Sequence, residues 1–519
     1  MKQRKQFYIT TPIYYVNDLP HIGHAYTTLA CDVTARFKRL DGYDVFFLTG
    51  TDEHGQKVEK SAALAGVEPQ AFTDRVSQNF LDLTKSMNFS QNQFIRTTET
   101  RHREACQEIW RRLQDNGHIY LGKYSGWYAV RDEAFYDESE LKTADDGSKT
   151  APSGAEVEWV EEPSYFFDLS KWQDKLLDFY KKYPDFIAPQ SRRNEVISFV
   201  SGGLRDLSIS RTSFKWGVPV PNDPKHIMYV WLDALTNYLT ATGFPGANDE
   251  GCTDFWPADL HIVGKDILRF HAVYWPAFLM GASLEPPKRI FAHGWWTNEG
   301  QKISKSLGNI IDPYEIKEKY GLDQVRFFLL REVPFGNDGD FSQNTMINRI
   351  NSELANDLGN LLQRSLSMVQ RYFDGVIPEP KTNLDDDTVI LNQSERILDE
   401  VRKHIDSQAF HHALETIWST VRSANAYVDH QAPWKLIKEN PERAETVLWV
   451  LLNVLRQLAL ILQPFMPDAS ARMLDQLKIS ENYRDFSHYS GIENRPISGI
   501  SLPKPEAIFP RHVSDSATV

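Results

Sequence analysis

Two imidazoles three residues apart around a glycine, His21, Gly23 and His24 of NDLPHIGHAYTT (residues 17–28), stand where an apolar helical pattern begins. Three uses suit such residues. Imidazole nitrogens ligate zinc, a helix N-terminus attracts anions through orphan N–H groups and a partial positive charge, and histidines can simply satisfy local backbone. Zinc needs a third ligand at a spacing such as HExxH, and nothing nearby supplies one. A phosphate needs only donors: neutral imidazoles can give them, and Gly23 lets a ligand lie against the backbone. Far downstream, KISKS (residues 302–306), flanked by Gly300 and Gly308, carries Lys302 and Lys305. Two lysines on a short glycine-bounded loop can close over a polyphosphate and neutralise charge as it leaves. Taken singly, the first motif is compatible with local histidines and the second with a solvated loop; together they favour phosphate chemistry.

The elements around them fit. FYITTPIYY (7–15) reads as a buried strand, and Leu29, Val33, Phe37 and Leu40 form the stripe of an amphipathic helix stopped by Asp41 and Gly42. VFFLTGTDEHG (45–55) gives a second strand and a polar loop with Asp52. Strand, crossover helix, strand is the unit of a parallel sheet, whose ligands gather beyond the carboxyl ends of its strands. Residues 117–226 change texture to short aromatic segments divided by Gly and Pro, an inserted, mostly β module. Strand and helix alternate again through IMYVWLDAL, DLHIVGKDILRFH and RIFAHGW. The reading is therefore an α/β fold: a doubly wound parallel Rossmann-type sheet in two halves (1–116 and 227–340) split by the insert. A helical domain (341–500) and an irregular tail (501–519) follow.

With 519 residues, 41% hydrophobic and 24% charged, the chain suits several soluble domains with real cores. A net charge of -13 argues against generic adhesion to nucleic acid or membrane, though a local basic groove is still allowed. Three dispersed cysteines, Cys31, Cys106 and Cys252, offer neither a disulfide framework nor a four-thiolate zinc site. No secretory leader and no run of about 18 apolar residues is read, so the expectation is a cytoplasmic protein without a membrane partner.

HIGH on one half-sheet, KISKS on the other and an insert between them resemble a class I aminoacyl-tRNA synthetase, with Ile303 at a position usually Met. TPIYYVNDLPHIGHAY, FLTGTDEHG, YVWLDALTNY, VGKDILRFH, HGWW and KISKS follow the order of the methionyl-tRNA synthetase family over nearly the whole chain. That resemblance implies a methionine-tRNA ligase using ATP and Mg²⁺. His21, His24, Lys302 and Lys305 would handle the triphosphate, with Gly23, Gly264, Asp266 and His293 about the nucleotide. It implies a methionine pocket of Ile13, Tyr15, Asp52, Trp231, Ala234, Leu235, Tyr238, Ile267 and His271. Spacing alone puts Trp231, Ala234, Leu235 and Tyr238 on one helical face, which is equally the pattern of an ordinary core stripe. WYAVRDEAF carries Ala129 and no Cys-x-x-Cys, so the chain resembles the zinc-free branch and no metal ligands are expected. Isoleucine, valine and leucine enzymes carry a larger editing insert; an HxGH nucleotidyltransferase without RNA would have no use for the helical domain.

In that domain Asn356, Asn360 and Arg364 are spaced four apart, able to present amide and guanidinium edges to unstacked bases, and Trp434 after Pro433 can stack on one. The resemblance makes these the anticodon readers of tRNA(Met). No OB-fold-like tail is read, and a monomer is expected. Replacing Lys305 with Ala is expected to slow methionine-dependent pyrophosphate exchange by about 10²-fold or more with methionine affinity nearly intact, as for loss of a transition-state donor; unchanged exchange would contradict the role.

Overall fold

The apolar run at the start folds as β1 (Gln6–Thr10) and a two-residue β2 (Tyr14–Tyr15), separated at Pro12, which has no N–H to give a ladder. Helix α1 spans Ile22–Leu40. It buries Leu29, Val33 and Phe37, and just beyond it Gly42 takes φ +86°, a left-handed conformation that costs glycine little. Strands β3 (Asp44–Asp52) and β4 (Gln93–Arg96) follow. The structure, a computed structural model, describes residues 4–16, 19–132, 134–144, 146–246, 252–303 and 309–512.

The main sheet is parallel. Its order is Ile187–Ala188, Ile290–His293, Leu260–Gly264, β1, β3, with β2 and β4 both pairing with β3. β1 therefore lies beside a strand from the other half of the chain, with Ile9 opposite Leu260 and Thr10 opposite His261. That is the doubly wound arrangement read from the sequence, and the junction of the two halves is where such sheets hold ligands.

The insert is richer than its texture suggested. Leu207–Ser208, Glu158–Phe167, Ile119–Ala129 and Ala134–Tyr136 form an antiparallel sheet in that order. Helices Gln173–Lys182 and Gln190–Ser201 lie between its strands in sequence, and Ile187–Ala188 adds an edge strand to the parallel sheet. The first helix buries Leu176 and Tyr180, a spacing of four that frequent aromatic residues nearby disguise as strand.

The chain divides into two compact units: one gathers Phe7–Pro20 with Phe46–His293, the other Met1–Gln6, His21–Val45 and Gly294–Val519. The second is dominated by helices, among them Leu322–Arg331, Asn360–Tyr372, Asp385–Asp406, Phe410–Gln431 and Pro441–Leu462. Pro441–Leu462 is long and apolar enough to cross a membrane by composition, but 94% of its apolar window is buried, making it the core helix of this bundle.

Helix α1 is anchored in this second unit by charge. Asp32, fully buried, accepts from Arg326 at 2.6 Å and from Arg36 at 2.8 Å. Arg326 also donates to the carbonyls of Pro464 and Phe465 at 2.9 and 3.0 Å, so at least three of its five N–H donors have acceptors within the protein. Leaving either charge alone in such a place costs roughly 3–5 kcal/mol. Lys38 to Asp406 and Arg402 to Asp41 add ties near the end of α1, and Phe37 packs on Phe486 at 4.9 Å.

Candidate active site

The start of α1 solves its own capping problem. His21 is the N-cap residue, and its Nδ1 accepts the Gly23 N–H at 3.1 Å; His24 Nδ1 accepts the His21 N–H at 3.0 Å. This is a reciprocal capping box built from two imidazoles rather than a hydroxyl and a carboxylate. The Ile22 N–H donates to Ile311 O at 3.1 Å and the His24 N–H to His21 O at 3.0 Å. The backbone donators of the first turn are therefore engaged, which corrects the expectation that orphan N–H groups would meet the anion. Burial lowers the pKa of His21, and burial with the neighbouring His21 ring lowers that of His24 further. Both rings are neutral at pH 7, and because each Nδ1 accepts, each proton sits on Nε2. Each ring held this way carries its N–H at Nε2, and the two ring centroids lie 4.0 Å apart. A Cβ on Gly23 would come within 2.9 Å of the His21 ring. The lack of a side chain at Gly23 leaves room for that ring.

The segments that flank the second motif join this region. Strand Gln301–Lys302 pairs with Trp296–Asn298, which pairs with Gly339–Phe341. Asn298 Nδ2 donates to Asn309 O at 2.9 Å across the base of the loop, and Ile311, two residues on, takes the Ile22 N–H. Lys302 is placed by its backbone; Lys305 lies outside the described residues.

In the other unit most of the expected pocket residues gather on one apolar cluster, while Tyr15 packs on a second one with Tyr14 and Val16. Tyr15 and Asp52 are Cα partners at the ends of β2 and β3. Ile13, Trp231 and Ile267 pack on the cluster that contains Leu235 and Tyr238. Trp231 stacks on Phe270 at 3.7 Å and meets His271 edge-on at 6.3 Å. His271 Nδ1 donates to Ile267 O at 2.9 Å, so its Nε2 accepts the Tyr238 hydroxyl at 2.7 Å. Burial pushes its pKa down to about 4, which keeps that tautomer at neutral pH. His271 sits in a π-helical turn, Phe270–Tyr274, which runs into Pro276. Pro276 cannot donate to Ala272 O, and the Tyr180 hydroxyl does so instead at 2.7 Å. Ala234 is buried on the helix Val230–Thr240 with the others.

For the nucleotide candidates, Gly264 and His293 are register partners at neighbouring strand ends, and a Cβ on Gly264 would strike the Asp266 carboxylate at 2.5 Å. Asn356 and Asn360 are exposed, Asn356 in a π-helical stretch (Ile350–Gly359) where it accepts from Arg511. Arg364 is half-buried, held by Asp429 at 2.9 Å and Asn425 at 3.2 Å; Trp434 is exposed. Sequence reasoning missed His261, buried in a strand of apolar neighbours, stacked on Tyr238 at 4.2 Å and bonded to Thr10 Oγ1 at 2.7 Å. Its signal was a lone polar residue in LHIVG.

Residues 7–366 match the family described as tRNA synthetases class I (M). The chain belongs to the class I methionyl-tRNA synthetases. Residues 377–518 of this synthetase match the anticodon binding domain of methionyl tRNA ligase. A methionine–tRNA ligase of Rickettsia felis is 56% identical over 99% of both chains, and one of Mesorhizobium japonicum 54% identical over 98% of both. The Mycobacterium tuberculosis methionyl-tRNA synthetase solved with methionyl-adenylate superposes with a TM-score of 0.95 at 54% identity, covering 98% of this chain and 100% of that one; its apo form gives 0.89.

Gly23→Ala should leave the fold intact, because the ring it displaces is the movable end of a side chain. It should cut pyrophosphate exchange by about 10²-fold by moving the His21 donor; parental exchange in this variant would show that the ring position is immaterial.

Proposed function

We propose that this protein is a methionine–tRNA ligase. It activates methionine with ATP to methionyl-adenylate and transfers the methionyl group to the 3′ end of tRNA(Met). The observation that carries this is the near-complete match to a synthetase solved with that adenylate. In the first step the methionine carboxylate forms a bond to the α-phosphorus while the bond to pyrophosphate breaks; in the second a ribose hydroxyl takes the acyl group and AMP leaves. The carboxylate is already a nucleophile at neutral pH, so the chain's task is to position reactants and stabilise charge on phosphorus.

His21 and His24 would donate Nε2–H bonds to the triphosphate, and Lys302 and Lys305 would follow the departing pyrophosphate. Mg²⁺ would be held by phosphate oxygens, since imidazoles and lysines are not its ligands, and it would neutralise part of their charge. Gly264, Asp266 and His293 would receive the nucleoside. Asp52 would pair with the substrate ammonium. The thioether would lie against Trp231, Tyr238 and His271, where sulfur against aromatic edges gains roughly 0.3–1.5 kcal/mol; Ile13, Tyr15, Ala234, Leu235 and Ile267 would enclose it.

Asn356, Asn360, Arg364 and Trp434 would read the CAU anticodon, with Arg364 exchanging its exposed Asp429 partner for RNA. The reading is of a zinc-free enzyme, supported by a contact in the insert made of Ala129, Ala151 and Ala155 with Tyr136 and Val157, which are not zinc ligands. We place it in the cytoplasm, in keeping with buried Cys31 and Cys106 thiols that are in no disulfide among the described residues, and propose a monomer. Exchange of pyrophosphate into ATP, run with each amino acid in turn, should proceed with methionine and fall to background with isoleucine, valine, leucine and cysteine. Equal exchange with another of these would overturn the assignment.

A further inference from the structure

Asp233 stands on the pocket helix, Val230–Thr240, between Trp231 and Ala234 but turned into the core, with no exposed surface. Its Oδ2 accepts from His54 Nδ1 at 2.7 Å and its Oδ1 meets His102 Nε2 at 2.8 Å. His102 Nδ1 reaches Thr240 Oγ1 on the same helix at 3.0 Å, and the Cys106 thiol lies 3.3 Å from His102 Nε2. His54 follows Asp52 by two residues. Three different segments thus converge on one carboxylate: the loop after β3, the helix Thr100–Asp115, and the helix that carries the pocket.

His102, Cys106 and Asp233 offer ligand atoms within 4.8 Å of one another, so a metal must be weighed. Donors about 2.0–2.3 Å from a tetrahedral ion stand roughly 3.3 Å or more apart. The nitrogen-to-oxygen separations here are those of hydrogen bonds. Burial alone would raise the Asp233 pKa, but the charge and hydrogen bonds of His54 and His102 outweigh it and hold the carboxyl well below the usual range. It is an ionised acceptor with a donor on each oxygen, the condition under which a buried charge is tolerated.

The loop is fixed on its other side as well. The Glu53 N–H donates to Thr97 Oγ1 at 2.9 Å, its carboxylate takes Arg96 Nε at 2.7 Å and Thr98 Oγ1 at 2.6 Å, and Trp216 Nε1 donates to its carbonyl at 2.6 Å. Those bonds set where the loop sits on the sheet. The His54 bond sets where it sits against the pocket helix.

We infer that Asp233 and His54 are positioning residues for the amino acid: their hydrogen bond fixes the span between the Asp52 carboxylate and the helix bearing Trp231, Ala234, Leu235 and Tyr238, and so gauges the length of the side chain accepted. This rests on the methionine reading above. The ammonium is held at one end of that span and the thioether at the other, so loosening it should weaken methionine binding and relax selection against a side chain one methylene longer. Neither effect should reach ATP.

The test is pyrophosphate exchange by the full chain with methionine and with ethionine, for the parent, His54→Ala and His54→Asn. Asparagine keeps an N–H near the place of Nδ1. His54→Ala is expected to raise the methionine KM about tenfold or more, leave the ATP KM within about twofold, and lower the preference for methionine over ethionine, with His54→Asn restoring most of both. An unchanged methionine KM and preference in His54→Ala would overturn the inference. So would a joint loss of methionine and ATP binding, with a lowered melting temperature, that asparagine does not rescue, since that describes a general packing role. A parent inactive with methionine overturns the functional reading first and this one with it.

Discussion

Backbone N–H groups at a helix start must find acceptors, and in this protein two of those acceptors are the Nδ1 atoms of histidines. Much follows from that choice. A ring that accepts through Nδ1 carries its proton on Nε2, so one pair of hydrogen bonds caps the helix and fixes the tautomer and direction of both donors. Protonation would add a hydrogen where each ring now accepts, so charging these imidazoles opposes the cap. Their lowered pKa values have that consequence: the cap is complete above the ordinary histidine range and weakens only as the pH falls below it. Gly23 belongs to the same device, because any side chain there would displace the His21 ring.

A fixed pair of donors is useful only on a fixed helix. α1 is tied along its length to the helical part of its own unit, most firmly through the Asp32–Arg326 pair, with the Lys38–Asp406 and Asp41–Arg402 pairs further on. The same logic governs the proposed amino-acid pocket. Tyr8 donates to the Tyr238 carbonyl at 2.8 Å, Tyr238 donates to His271, and His271 donates to Ile267, so each polar group of the pocket wall is oriented by the next. The π-helical turn presents His271 to Tyr238, and Tyr180 compensates the carbonyl that Pro276 leaves without an amide. Preorganised donors of this kind need little rearrangement when charge develops, which is the main resource of an enzyme that performs no proton abstraction in its first step.

Much of this was legible in the sequence. Strand-helix-strand periodicity gave the sheet, and the two short motifs with the segments between them pointed to the family. What was hidden depends on partners distant in the chain. That the first-turn amides are already occupied depends on Ile311, 289 residues beyond Ile22 (311 − 22). His261 and Asp233 read as oddities in apolar surroundings, because their partners Thr10, His54 and His102 come from other elements. The helices of the insert were masked by aromatic residues that also suit strands. The π-helical turns leave no periodic signature, since one extra residue in a turn shifts the pattern by less than the scatter of real helices.

The claim that the histidines act as neutral, Nε2-protonated donors is open to direct measurement. ¹⁵N NMR of imidazole-labelled protein, comparing the parent with His21→Gln and His24→Gln for assignment, reads the protonation of each ring nitrogen between about pH 6 and 8. The account predicts that both rings hold the Nε2–H tautomer at pH 8 and that each charges only below the unperturbed histidine value. An Nδ1–H tautomer, or titration of either ring near the unperturbed histidine value of about 6.5, would contradict it.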